Sequence, residues 1–473
     1  MHSNWRDCRA WYDEKLPMNT NSNEASKFYD ICLSQLAGYY ENHQFGGIVG
    51  SLTKMTSADP NFILGQCLKS GIELLGTNAT LTSDTYQKSI QDLVAKSEAL
   101  ADQLTLREKL HVRAIQHLAK GDLPESVTVW EDILIDHPTD MMAVRMSAGV
   151  YFYLGDSIQM RDSIARILPK WNQRVPLFNY LYGYYAFGLT QTKELEKAGK
   201  HAKMGIEMNR QDGWACHAIA HVNEYASSPD KGIEFLLSTQ KDWNYCDFIR
   251  GHNYWHLCLF YLEKQEYGNV LDILDNNEAF LDPKMSIDMI NVSSLLSRLK
   301  LDGFNDKEYL RKKFDDLKKK FGDRIDQHGY MYSDFHMALI YSMVGSEQEK
   351  EMYTKSMEEF IGNESVGHFI RNLNDKLGRK IVKALFDYGE KNFDKSVDLL
   401  YPIRYELKKI GGSNAQRDIF NLILIDSCMR SKFEKHNRMG AGLLFERLAQ
   451  RDSSPLTNRI ADRFFVHDFY NNF

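Results

Sequence analysis

The sequence predicts an all-α fold arranged as a helical solenoid, and three observations predict it. Proline is scarce, with 10 in 473 residues, which is about 2% against a usual value of about 5%. Because proline breaks helix interiors, a long chain with so few prolines favours helices throughout. Apolar segments of helical character alternate with short turns that contain glycine, and these turns recur at a regular spacing.

Three consecutive segments share one pattern, in which an apolar helix, a short turn and a second helix rich in small and apolar residues follow one another. The turn glycines are Gly121, Gly155 and Gly188, which are 34 and 33 residues apart. This period and pattern are typical of the tetratricopeptide repeat. One helix pair cannot bury its own apolar face, so neighbouring pairs share a core. We therefore expect a tetratricopeptide-repeat-like α–α superhelix whose first helices line a concave groove.

The repeats are not confined to one part of the chain. Further helix pairs are predicted over 252–274 and 384–402. We expect three regions: an N-terminal helical region over 1–105, tetratricopeptide-type repeats with a histidine cluster over 106–300, and C-terminal helical repeats with a cap over 301–473.

Charge and composition narrow the classes of partner. The net charge of −6 does not indicate a nucleic-acid partner, which normally requires a concentrated basic surface. No apolar run approaches the ~20 residues needed to span a bilayer, and the N-terminus lacks the apolar stretch of a secretory signal. Seven widely spaced cysteines without a Cys-x-x-Cys pair indicate reduced thiols. We expect a soluble, cytoplasmic protein with no nucleic-acid or membrane partner.

The sharpest local signal is a repeated histidine spacing. His217, His221 and Glu224 stand at i, i+4 and i+7, which places them on one helix face. His252 and His256 repeat the four-residue spacing, 35 residues after the first pair. Equivalent positions on successive repeats point in equivalent directions, so we expect four imidazoles and one carboxylate to converge.

Imidazole and carboxylate groups together form the ligand set of zinc or non-haem iron, and they also serve general acid–base chemistry. Asn253 and Trp255 lie between the second pair of histidines, and His336 could join from a later repeat. The alternative is a polar seam in which these side chains hydrogen-bond between helices with no metal and no turnover. No His-Glu-x-x-His metalloprotease signature is present.

A second candidate lies over 411–418. Ser413 and Gln416 fit a capping box, which satisfies the exposed amides at a helix start. A cap does not require Asn414, Arg417 or Asp418. A helix start that carries an arginine could instead bind an anion.

These observations leave two functions open. The leading one is a non-enzymatic repeat protein that binds a protein segment or small ligand in its concave groove. The rival is an enzyme, possibly metal-dependent, with its His/Glu active site inside the superhelix. No Gly-x-Ser-x-Gly elbow, phosphate loop or dinucleotide-binding glycine pattern is present.

Specific strings along almost the whole chain resemble the tetratricopeptide repeat protein 38 family. They are RDCRAW at 6–11, ADP at 58–60, HPTD at 137–140, YFYLG at 151–155, HNYWH at 252–256, LYPIRY at 400–405 and GGSNAQRD at 411–418. The resemblance implies an intracellular α-helical repeat protein. It implies no substrate and no catalytic residue, so the prediction of a histidine site rests on the spacing of the histidines alone.

Overall fold

The computed structural model describes residues 4–76, 81–277, 280, 286–322, 325, 327–451 and 454–471. Within these ranges the chain forms helices and no strand, which confirms the all-α prediction. Consecutive helices pack against each other in neighbouring pairs, as they do in an α-solenoid. Among the described helices, none is long and apolar enough to cross a membrane.

Contacts divide the chain into two compact units, and the first takes in Met1–Ile219, Thr239–Arg250 and Glu364–Ile370. Its first eleven helices are α1 (Cys8–Asp13), α2 (Asn23–Gly38), α3 (Gly47–Ala58), α4 (Ile63–Gly76), α5 (Asp84–Ala99), α6 (Leu106–Lys120), α7 (Leu123–Asp136), α8 (Met141–Leu154), α9 (Ser157–Ile167), α10 (Phe178–Gln191) and α11 (Leu195–Met208). The division then falls inside α12 (Gly213–Tyr225), α13 (Pro229–Trp243) and α14 (Arg250–Glu263).

The second unit takes in Ala220–Ser238, Gly251–Asn363 and Arg371–Phe473. The helices that follow α14 are α15 (Tyr267–Asn276), α16 (Ser286–Asp302), α17 (Lys307–Phe321), α18 (Met331–Val344), α19 (Glu347–Gly362), α20 (His368–Leu373, whose first three residues count with the first unit), α21 (Arg379–Gly389), α22 (Phe393–Leu400), α23 (Asn414–Arg430), α24 (Glu434–Gln450) and α25 (Pro455–Asn471). Helices α16, α18 and α23 are buried along most of their length, so they form the centre of this unit.

Two of the three predicted turn glycines are confirmed. Gly121 ends α6 with φ 81°, and Gly155 ends α8 with φ 64°; glycine adopts this left-handed conformation readily. The prediction for Gly188 is wrong, because Gly188 lies inside α10. A Cβ at that position would lie 2.6 Å from the Cα of Arg161 in α9. Glycine is therefore needed at position 188 for two helices to approach closely.

Left-handed turns between paired helices continue further along the chain than the glycine spacing does. A left-handed residue separates the two helices of successive pairs at Gly121, Gly155, Lys193, Ser227 and Gln265. These positions are 34, 38, 34 and 38 residues apart. The last three are not glycine, so glycine spacing could not reveal them.

Prolines occur where paired helices tolerate them. Pro138 follows the end of α7, Pro169 follows α9 and Pro402 follows α22. Proline cannot continue a helix beyond these points. Each of these prolines therefore stands just beyond the end of the second helix of a pair.

The first unit is held in part by a buried ionic network. Asp140 caps α8 by accepting from the amide of Ala143 at 3.0 Å. It also accepts from Arg107 Nη1 at 2.7 Å and contacts His111 Nε2 at 3.0 Å. Burial raises the pKa of the Asp140 carboxyl, but the charges of His111 and Arg107 outweigh burial and lower it. The network therefore links α6 to the start of α8.

Candidate metal centre and its surroundings

Three histidines of the second unit converge at the start of α14 and the end of α12. One ring nitrogen each from His221, His252 and His256 lies within 4.8 Å of the others. The ring centroids of His221 and His256 are 4.4 Å apart, and those of His252 and His256 are 4.9 Å apart. All three side chains are buried. The repeated spacing in the sequence thus brings three imidazoles to one place.

The carboxylate of Glu224 joins the same group from α12. Its Oε2 lies 3.6 Å from His221 Nδ1 and 3.5 Å from His256 Nδ1. Its Oε1 accepts a hydrogen bond from Arg451 Nη2 at 2.6 Å. One oxygen of Glu224 therefore faces two imidazoles while an arginine orients the other.

His252 is oriented by neighbours on two sides. Its Nδ1 donates to Asn291 Oδ1 at 2.9 Å, so the lone pair of the neutral ring is on Nε2. Its ring stacks on Trp255 with centroids 4.9 Å apart and planes 14° apart. A histidine that gives its second N–H to an amide oxygen has the arrangement common among metal ligands.

Burial sets the protonation of these groups. Burial lowers the pKa of His221 well below its usual value, and the neighbouring His252 and Arg451 lower it further. Burial also lowers the pKa of His252 to about 4, although the bond to Asn291 opposes this shift. Both imidazoles are consequently neutral at pH 7, which is the state that binds metal ions.

Glu224 responds to burial in the opposite direction. Burial raises the pKa of its carboxyl, and the charge of Arg451 opposes that rise. A cation placed against Oε2 would stabilise the ionised form of this carboxyl. A metal ion at this position would therefore offset the cost of ionising the buried carboxyl.

The other two predicted histidines have aromatic or backbone partners. His217 lies one turn before His221 on α12 and counts with the first unit, where its ring packs at centroid distances of 5.3 Å from Phe187 and 4.7 Å from Trp214. His336 lies on α18, where its Nδ1 donates to the carbonyl of Tyr332 at 2.8 Å.

The residues between His252 and His256 are part of the core. Asn253 and Trp255 are fully buried on α14. The guanidinium of Arg298 lies 5.6 Å from the Trp255 ring centroid. Trp255 therefore links the histidines to a cation on α16.

The capping box predicted at the start of α23 is confirmed. Ser413 Oγ accepts from the amide of Gln416 at 3.2 Å, and the amide of Ser413 donates to Gln416 Oε1 at 2.9 Å. Both residues are buried. The serine and the glutamine therefore cap the N-terminus of α23.

Arg417 bonds within the same helix start. It donates to the carbonyl of Gly411 at 3.1 Å, to the carbonyl of Gly412 and to Asn414 Oδ1 at 2.5 Å. Burial lowers the pKa of Arg417 to about 10. These contacts favour a structural role for Arg417 over an anion site.

Asp418 pairs with arginines from other helices. Arg447 donates to both of its carboxylate oxygens, at 2.9 Å for Oδ2. Arg298 Nη2 lies 4.0 Å from Oδ2. Burial raises the pKa of Asp418, but Arg447 and Arg451 outweigh it and lower the pKa. The carboxylate is therefore ionised and held between cations.

Sequence reasoning missed the partners that orient the candidate ligands. Arg451 is 227 residues from Glu224 along the chain, and Asn291 is 39 residues from His252. Neither belongs to a local motif, so spacing carries no signal for them.

A small pocket adjoins Glu224 within the second unit, with space for little more than one water molecule. Its lining consists of Asn223, Glu224, Ser227, Ser228, Pro229, Leu259, Phe260, Leu262, Glu263, Arg298, Asp418, Arg451 and Leu456.

Comparison of the chain with known protein-family models finds no match. Over the described residues, fold and site together define a helical protein of paired helices that buries a group of histidines beside a carboxylate. The resemblance to the tetratricopeptide repeat protein 38 family rests on the strings quoted above and stays an expectation.

Proposed function

We propose that this chain is a helical repeat protein of the tetratricopeptide type that binds one divalent transition-metal ion through His221, His252 and His256. The observation that carries the proposal is the convergence of three buried ring nitrogens within 4.8 Å of one another. Imidazole nitrogens gathered in this way are ligands that a divalent transition-metal ion binds.

The distances suit a metal ion after small side-chain adjustments. Zinc binds imidazole nitrogen at about 2.0–2.1 Å, so nitrogens on one ion lie no more than about 4 Å apart. The three ring nitrogens lie within 4.8 Å of one another, so they must move slightly closer together to bind one ion.

The donor set allows two metals. Three histidines fit zinc, whereas His221, His256 and Glu224 are the two-histidine, one-carboxylate set of non-haem iron. The polar-seam alternative predicts no affinity for either ion.

The tetratricopeptide type is supported by the recurring left-handed turns and by prolines at the ends of second helices. These features agree with repeated helix pairs of 34–38 residues, close to the 34 of that repeat. We further propose that the chain binds a protein segment or small ligand in the groove that such repeats form.

Titration of chelator-treated protein with Zn²⁺, and with Fe²⁺ under anaerobic conditions, tests the metal proposal by calorimetry. We expect one site per chain and a loss of affinity of at least about 100-fold in H221Q and H256Q, since each removes a direct ligand. His336→Gln is the matched control, because His336 is equally buried in the same unit. The same titration of His217→Gln measures whether the predicted fourth imidazole contributes to metal affinity.

Circular dichroism establishes that each variant is folded before titration. Wild-type protein that binds neither ion would overturn the metal proposal. So would equal loss of affinity in H336Q and H256Q.

The second candidate function is an enzyme built on the same residues. The pocket beside Glu224 favours it, because Arg298, Asp418 and Arg451 line the same space. A buried carboxyl with a raised pKa suits general acid–base catalysis.

Glu224→Gln separates the two functions. A metal-binding scaffold keeps its ion in E224Q with a moderate loss of affinity. An enzyme with Glu224 as its acid–base group would lose turnover of any ester or phosphoester that the metal-loaded wild type cleaves. A metal-loaded wild type that cleaves no member of such a panel would count against the enzyme.

A further inference from the structure

A serine, a histidine and an aspartate form a chain of contacts in the second unit, and none of them belongs to the proposed metal site. His328 Nδ1 lies 3.1 Å from Asp334 Oδ1. His328 Nε2 lies 3.0 Å from Ser356 Oγ. With the carboxylate accepting from Nδ1–H, Nε2 is the acceptor for the serine hydroxyl. This is the arrangement in which an imidazole activates a hydroxyl nucleophile.

The imidazole and the carboxylate are both held in place. Tyr353 Oη donates to the backbone carbonyl of Asp334 at 2.8 Å and lies 3.4 Å from its Oδ1. Asn374 Nδ2 donates to the carbonyl of His328 at 3.3 Å. The ring of His328 packs edge-on against Tyr353 and Phe360. Such supports fix the orientation of a catalytic base.

The backbone of His328 is strained. Its φ is 39°, in the left-handed region that side-chain-bearing residues adopt at a cost. Strain of this kind persists where surrounding contacts determine the conformation, and it is concentrated at functional sites. Here it positions the imidazole between Asp334 and Ser356.

The serine is the solvent-facing end of the chain of contacts. His328 and Asp334 are buried, whereas Ser356 is half-buried on α19. Its neighbours Lys355 and Glu359 are 79% and 68% exposed. An electrophile can therefore approach the hydroxyl while the base stays shielded from water.

We propose that Ser356 is an activated nucleophile that accepts an acyl or phosphonyl group from an activated ester, with His328 as its base and Asp334 as a positioning residue. In the first step a bond forms between Ser356 Oγ and the acyl carbon, and the ester C–O bond breaks. The hydroxyl proton passes to His328 Nε2 and then to the departing alcohol. Water releases the acyl group as a carboxylic acid by the same proton route, which restores the serine.

A fluorophosphonate probe tests this proposal on the full-length chain. Attack by Ser356 Oγ forms a P–O bond and expels fluoride, which leaves a covalent adduct that peptide mass spectrometry can locate. We expect labelling at Ser356 and its loss in S356A. Thr354→Ala is the matched control, because Thr354 is an exposed hydroxyl on the same helix, and T354A should label like the wild type.

The base is tested by the labelling rate. His328→Gln and Asp334→Asn should each slow labelling at least about tenfold, since general-base assistance contributes about 10²–10⁴-fold. Each is compared at a temperature at which circular dichroism shows it folded. A wild type that does not label at Ser356 would overturn the proposal, and so would an H328Q variant that labels at the wild-type rate.

Discussion

Buried histidines in this protein have several different environments, and burial alone does not identify a ligand. His111 contacts a carboxylate in the first unit. His336 donates to a backbone carbonyl within α18. Only a group of ring nitrogens close to one another, such as His221, His252 and His256, matches what a metal ion requires.

His336 gives the clearest pH prediction at this scale. Burial lowers the pKa of His336 to about 4 from an ordinary value of 6.5. The hydrogen bond to Tyr332 opposes this shift, and the charge of Arg298 lowers the pKa further. The unfolded chain therefore binds the proton first as the pH falls, so stability is full above about 6.5 and is lost toward 4.

Between pH 7.5 and pH 5 this single group should reduce the free energy of unfolding by about 2 kcal/mol. Denaturant unfolding at several pH values measures it. H336Q should lose correspondingly less stability over that range than the wild type. Parallel pH profiles for the two proteins would contradict the assignment.

The ion pair between Arg451 and Glu224 gives a second residue-scale prediction. Both side chains are largely buried, with 11% and 6% of their surface exposed. Arg451→Met leaves a buried carboxylate without its cation and should destabilise metal-free protein by about 3 kcal/mol. Adding Glu224→Gln should restore part of that loss. Denaturation of both variants measures it, and a double variant no more stable than R451M would argue against the pairing.

At the scale of helices, glycine has two uses that look alike in the sequence. Gly121 and Gly155 end helices in the left-handed conformation, as the spacing predicts. Gly188 instead allows α10 to pack closely on α9. A one-dimensional period cannot separate these uses, because the distance between helices is a property of the packed structure.

Gly188→Ala tests the close approach of α9 and α10. Its Cβ would meet backbone atoms of Arg161, so we expect a destabilisation of about 1–3 kcal/mol. Gly442→Ala is the control, because a Cβ there meets nothing within 4 Å inside α24. That change should stabilise the protein by up to about 1 kcal/mol. Similar effects of the two changes on denaturant midpoints would refute the packing explanation.

At the scale of the whole molecule, patterns in the sequence were sufficient to predict the helices and the positions of the histidines. Proline scarcity and helix pairs depend on local chemistry, and a four-residue spacing places side chains on one face of any helix. The residues that orient the site come from distant segments, as Arg451 does for Glu224 and Asn291 does for His252. Such pairings depend on how helices pack, which no local pattern in this chain encodes.

The chain of contacts through His328 illustrates the same limit. His328 and Asp334 are six residues apart, yet Ser356 joins them from another helix 28 residues away. No short motif links the three. Their arrangement becomes visible only in the folded unit.

The metal content of protein purified without added metal or chelator tests the central claim most directly. Elemental analysis should find about one zinc or iron per chain in the wild type and in H336Q, and almost none in the H221Q/H256Q double variant. Wild-type protein without stoichiometric metal, or a double variant that retains it, would contradict the proposed metal site.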